Sequence, residues 1–171
     1  MTEITQTVET PQKPSAGYKR FSKAITENNE LVTIILRTHL LCEYYMDQII
    51  MAKIPRGDCL IDDSRMTFSF KIELIKSLNF LDSKRTYLLD SAKGLNKVRN
   101  NCSHTLDYSI TETDIDKIGK PQGIEYLEQK KKSGDDLKEL LILSLINLIS
   151  RLDSISSLCV DEKTEKVPKN S

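Results

Sequence analysis

The chain has 171 residues, the size of one domain, and enough to bury a core without disulfide or metal staples. Its 25 Lys+Arg balance 25 Asp+Glu, which excludes the strongly basic surface that non-specific binding to long nucleic acid demands but leaves room for a small local anion site. Trp is absent and Gly and Pro number only 6 and 5, so long apolar-periodic runs in this background favour an all-helical chain.

Residues 1–16 carry two prolines and little to bury, and read as a disordered tail without the apolar core of a signal peptide. A helical domain is expected over 17–160, followed by a second disordered tail over 161–171. Tyr18–Thr26 forms a short amphipathic leading stretch. The first long helix runs from about Glu30 to Ala52, with apolar residues over most of its circumference, which marks it as central or interfacial. Arg37, His39, Glu43 and Asp47 interrupt this run, so it is not a membrane span. Pro55 and Gly57 end it.

A second helix is expected over Phe68–Leu81, with Phe68, Ile72 and Ile75 as its seam. After a break at Asp82-Ser83, with Ser83 a candidate N-cap, a third helix starts near Lys84 and runs to the end of L-N-K-V-R-N-N-C-S-H. Residues 105–133 read as an irregular segment with helical turns at Glu112–Ile118 and Ile124–Lys130, and with a solvated charge run at Lys130–Lys132. The last helix starts at Ser133-Gly-Asp-Asp and carries a heptad-like seam of Leu141, Leu145, Leu148, Leu152 and Ile155. Four long helices joined by mostly short connections predict an antiparallel four-helix bundle with a short leading helix. Cys42, Cys59, Cys102 and Cys159 form no C-x-x-C pair, consistent with free thiols in a cytoplasmic protein.

The residue that breaks the pattern is Arg99. At about 100° per residue it falls near the centre of the apolar face made by Leu88, Ala92, Leu95 and Cys102, with Val98 and Ser103 at its edges. A guanidinium there needs a partner: a carboxylate, a bound anion or a protein interface. Glu43, on the polar strip His39–Glu43–Asp47 of the first helix, is the best intramolecular candidate for a bidentate pair. That strip's i, i+4, i+8 spacing resembles metal-ligand spacing only superficially and reads as a solvated stripe or an ion-pair strip. It lacks the further ligands of a metal site, and neither a metal nor a cofactor is expected. His104 diverges from Arg99 by about 140° around the helix, so the two do not meet easily within one copy. An Arg99–Glu43 pair could equally be a structural clasp, with His104 only capping the helix end.

The R-N-N-C-S-H stretch resembles the R-x(4–6)-H motif of the HEPN superfamily of helical bundles, with Asn100 in its polar position. L-L-C-E-Y-Y-M-D-Q-I-I (40–50), F-S-F-K-I-E-L-I-K-S-L-N-F-L (68–81) and V-R-N-N-C-S-H together resemble the mannitol operon repressor group within it. The resemblance implies a homodimeric, metal-independent endoribonuclease of toxin–antitoxin or defence systems, acting on RNA and held by an antitoxin or regulatory protein. In it, Arg99 binds the scissile phosphate, His104 is the general acid/base, Asn100 orients the substrate or the pair, and Glu43 positions Arg99, with Ser103 and His39 as supporting residues. The mannitol-repressor side of the resemblance implies instead a non-catalytic regulator. A bundle that senses a nucleotide at Arg99 is a third reading. Leu106 stands where some HEPN toxins carry a modifiable tyrosine, the nearest being Tyr108. No helix-turn-helix with a basic recognition helix is present in the sequence.

Overall fold

The computed structural model describes residues 19, 22, 30–62, 66–82 and 85–165; the N-terminal tail expected over 1–16, the leading stretch apart from residues 19 and 22, and the Ser83 cap fall outside them. Among the described residues the chain is all-helical. α1 is Leu31–Lys53, α2 Gly57–Ile61, α3 Phe68–Ser77, α4 Tyr87–His104, α5 Glu112–Gly119, α6 Ile124–Ser133 and α7 Leu137–Glu165, with a 3-10 turn at Lys120–Gln122 between α5 and α6.

The two longest helices form the centre. α1 buries Ile34, Ile35, Cys42, Tyr45, Met46, Ile49 and Ile50, and α7 buries Leu141, Leu145, Leu148, Ile149, Leu152 and Ile155, the seam read from its heptads. Lys53 Nζ meets Glu162 Oε2 at 2.6 Å, and Lys163 Nζ donates to Met51 O at 2.7 Å. The C-terminal ends of α1 and α7 therefore lie together, and this closely packed pair runs in the same direction rather than antiparallel. Among the described residues α7, not α1, is the helix long and apolar enough to cross a membrane by length and composition alone, and just over half of that apolar stretch is buried against its neighbours. It also continues to Glu165, into residues that the composition assigned to a tail.

The segment over 105–133 is mostly helical rather than irregular. Thr111 and Asp114 form a reciprocal capping box that starts α5, a signal that T-E-T-D carries with Asp in place of the usual Glu or Gln. α5 reaches α4 at Gly94, where a Cβ would sit 2.1 Å from the Lys117 carbonyl oxygen, so only glycine permits the approach. Lys130 lies in the last turn of α6, paired with Glu112 at 2.6 Å and Asp116 at 2.9 Å, and ties that helix end to α5, while Lys131 and Lys132 are exposed. α7 begins at Leu137, after Ser133-Gly-Asp-Asp, and Asp136 accepts the Glu139 backbone N–H at 2.9 Å.

α3 stops at Ser77, four residues short of the expected end, and α4 begins at Tyr87. The α3 seam is as read, with Phe68, Ile72 and Ile75 buried, but Lys71 is buried beside them at 5 % exposure.

A polar cleft at the junction of three helices

Lys71 explains the polar strip on α1. Its ammonium lies 2.9 Å from Glu43 Oε1 and 2.7 Å from Asp47 Oδ1. Burial disfavours the charged lysine, but the two carboxylates outweigh this and raise its pKa. Asp47 is pushed up by its own burial, which Lys71 offsets only in part. Glu43 is thus held by α3, and the Arg99–Glu43 bidentate pair expected from the sequence does not form. Of the strip, Glu43 and Asp47 form ion pairs with Lys71, while His39 bonds Asn96 instead.

Arg99 is half-buried, and its Nη1 donates to Asn100 Oδ1 at 3.1 Å. The helical wheel gives its direction correctly but not its depth. α4 is buried along its inner face through Val98, and no residue beyond Val98 on this helix is buried. The apolar stripe leaves the core just before Arg99, so the guanidinium opens onto a cleft rather than into the interior.

That cleft has a volume of about 420 Å³ and is walled by three helices. α1 supplies His39 and Glu43, α4 supplies Asn96, Arg99 and Asn100, and the start of α3 supplies Thr67, Phe68 and Ser69. Thr67 caps α3, its hydroxyl accepting the Phe70 N–H at 3.2 Å. The positive end of the α3 dipole therefore faces the same space as the Arg99 guanidinium.

His39 is buried at 6 % exposure, its ring stacked on Phe68 with centroids 4.0 Å apart. Its Nε2 is 3.0 Å from Asn96 Oδ1, and the Asn96 amide nitrogen donates to Ser69 Oγ at 3.1 Å. Burial lowers the His39 pKa; the Asn96 hydrogen bond pulls it up, Arg99 lowers it, Glu43 raises it and Lys71 lowers it, with a net shift downward.

The other motif residues are elsewhere. His104 ends α4 exposed to solvent and does not line the cleft. Ser103 is exposed, and its hydroxyl bonds back to the Arg99 carbonyl at 3.0 Å, a contact internal to the helix. One copy of the chain brings together Arg99, Asn100, Glu43 and His39 but leaves His104 and Ser103 out.

Lys71, Asn96, Thr67 and Ser69 were not singled out from sequence. Two signals were available: a lysine three residues after Phe68 and next to Ile72 in an apolar seam, and an asparagine three and four residues before Arg99 and Asn100, hence on their side of the helix. The four cysteines are free thiols. No protein-family model matches the chain, and no curated protein or solved structure matches it either.

Proposed function

We propose that this protein is a HEPN-type, metal-independent endoribonuclease that works as a homodimer, its helices arranged as a four-helix bundle of that type. A toxin–antitoxin or defence setting, with an antitoxin or regulatory protein as partner, belongs to the same reading. The observation that carries it is the cleft. Arg99 and Asn100, the first two residues of R-N-N-C-S-H, line a polar space that the N-terminus of α3 also faces. A guanidinium with donors to spare and a helix N-terminus facing one cavity suit a phosphodiester, whose charge grows during cleavage.

In this reading Arg99 binds the scissile phosphate, Asn100 orients the guanidinium through its 3.1 Å hydrogen bond, and His104 moves a proton. His104 is exposed and diverges from Arg99, so it acts across a two-fold axis on the cleft of the second copy. Leu106, two residues beyond it and 92 % exposed, together with exposed Leu40 and Tyr44 on α1, gives apolar surface for such a contact. Glu43 acts on the site through Lys71 and the cleft wall rather than by gripping Arg99.

The test is incubation of the purified protein with single-stranded and structured RNA in EDTA, alongside Arg99→Ala and His104→Ala. Cleavage by the wild type and its loss in both variants supports the reading. No cleavage across RNAs and pH, or equal cleavage by the variants, overturns it, and a strictly monomeric protein by light scattering removes the shared site.

A second reading, a non-catalytic regulatory module like the mannitol operon repressor group, is favoured by Lys71. The lysine satisfies Glu43 and Asp47 internally, as a structural clasp would. It predicts partner binding without RNA chemistry.

A further inference from the structure

We infer that His39 is the general base of this cleft, taking the proton from the ribose 2′-hydroxyl while His104 serves as the acid; the assignment rests on the ribonuclease reading above. Cleavage by 2′-hydroxyl attack needs two proton transfers on opposite sides of phosphorus. The 2′-oxygen loses its proton and bonds to phosphorus. The bond from phosphorus to the 5′-oxygen breaks, and that oxygen takes up a proton. The products are a 2′,3′-cyclic phosphate and a 5′-hydroxyl, and no oxidant, reductant or further reactant is consumed. One imidazole cannot hold both places in a single step, and the chain has two histidines.

Of the two, His39 shares the cleft with Arg99 in the same copy. Its orientation is fixed by two neighbours, Asn96 and Phe68. Asn96 gives its amide N–H to Ser69, so its carbonyl oxygen faces the ring and can only accept; His39 Nε2 therefore carries the proton. Nδ1 is left with the lone pair of a base. Phe68 stacks on the ring and stops it turning. A base held in one tautomer by a third group is the arrangement that activates hydroxyls in acid–base sites.

An amide in that third position does not stabilise the imidazolium as a carboxylate would. Burial, with Arg99 from α4 and Lys71 from α3 facing the ring, outweighs the Asn96 hydrogen bond and Glu43 on its own helix, and leaves His39 with a lowered pKa that favours the neutral ring. A base must be unprotonated to act, so this suits His39 to the base and leaves the acid to solvent-exposed His104.

The experiment measures RNA cleavage in EDTA from pH 5 to 8 by the wild type, His39→Gln and Asn96→Asp, with thermal melts of each. Gln keeps a nitrogen donor for Asn96 and has no titrating group. The expected result is a loss of about 10²-fold or more in His39→Gln with the fold retained. In Asn96→Asp the new carboxylate raises the imidazole pKa, and the acidic limb of the rate profile moves up by about one pH unit or more. His39→Gln cleaving within twofold of the wild type, or an Asn96→Asp profile that does not move, overturns the assignment while leaving the ribonuclease reading intact. A wild type that cleaves no RNA overturns both. If His39→Gln does not fold, the Asn96→Asp profile decides.

Discussion

Lys71 on α3 holds Glu43 on α1 at 2.9 Å, and so takes the carboxylate that the sequence pairs with Arg99. This one contact sets the character of the cleft. Glu43 is neutralised from behind, and the guanidinium at the rim keeps donors for something outside the chain. Removing the lysine tests how much the fold depends on it. Lys71→Met leaves two partly buried carboxylates facing each other and is expected to destabilise by about 2–4 kcal/mol. That is less than the roughly 3–5 kcal/mol of a fully buried broken pair, because Glu43 retains some solvent. Urea unfolding measures it, and adding Glu43→Gln and Asp47→Asn to Lys71→Met should recover part of the loss. A single variant as stable as the wild type would show that the ion pairs contribute little.

Arg99 separates a working residue from a clasp. Its only hydrogen bond to another side chain among the described residues is to neighbouring Asn100, and no carboxylate depends on it. Arg99→Ala should therefore change stability by no more than about 1 kcal/mol, as expected for a half-exposed polar contact, while RNA cleavage falls by about 10²-fold or more. Equal unfolding midpoints with unequal cleavage rates would confirm it. A large loss of stability would make Arg99 structural.

The seams and the site differ in how far the sequence reveals them. The α7 heptads and the Phe68–Ile72–Ile75 seam can be read from spacing alone, because burial repeats with the helical period. The angular position of Arg99 follows from the same period. Its depth does not, since where a stripe leaves the core depends on how far the neighbouring helices extend. The Lys71 pairing is a long-range fact that one helix's periodicity cannot hold. α5 and α6 look irregular in sequence because Gly119, Pro121 and Gly123 fall close together. Gly119 is in fact a packing glycine, where a Cβ would lie 2.1 Å from the Tyr126 ring.

Gly94 tests the crossing of α5 with α4, the helix that supplies Asn96, Arg99 and Asn100 to the cleft. It lies two residues before Asn96 in α4, and its missing side chain lets the Lys117 carbonyl approach. Gly94→Ala gains about 1 kcal/mol of helix propensity but meets backbone at 2.1 Å, so α4 and α5 must separate. The net expectation is a destabilisation of about 1–3 kcal/mol, read from the melting temperature. A variant more stable than the wild type would mean that the helices part without cost.

Asp114 gives the fold an acid-sensitive point. Burial works against its ionised form, but bonds from Lys117 at 2.8 Å, Tyr108 at 2.7 Å and the Thr111 cap outweigh it and hold the carboxyl at about 2. An unfolded aspartate titrates near 3.9. The folded pKa is the lower one, so the stabilisation is fully present above about pH 4 and is lost as the pH falls through 4 towards 2. Asp116, held at about 2 against burial by Tyr126, Lys130 and Lys120, follows the same course. Asp114→Asn should lower stability at pH 7 and flatten the decline between pH 5 and 2, while Asp116 keeps a remaining slope. Because Asn101 donates to Tyr108 at 3.1 Å, the same variant should loosen the turn after His104. Amide hydrogen exchange over residues 105–111 then rises at neutral pH. Unchanged exchange together with an unchanged acid slope would show that the cap is not held by the Asp114 charge.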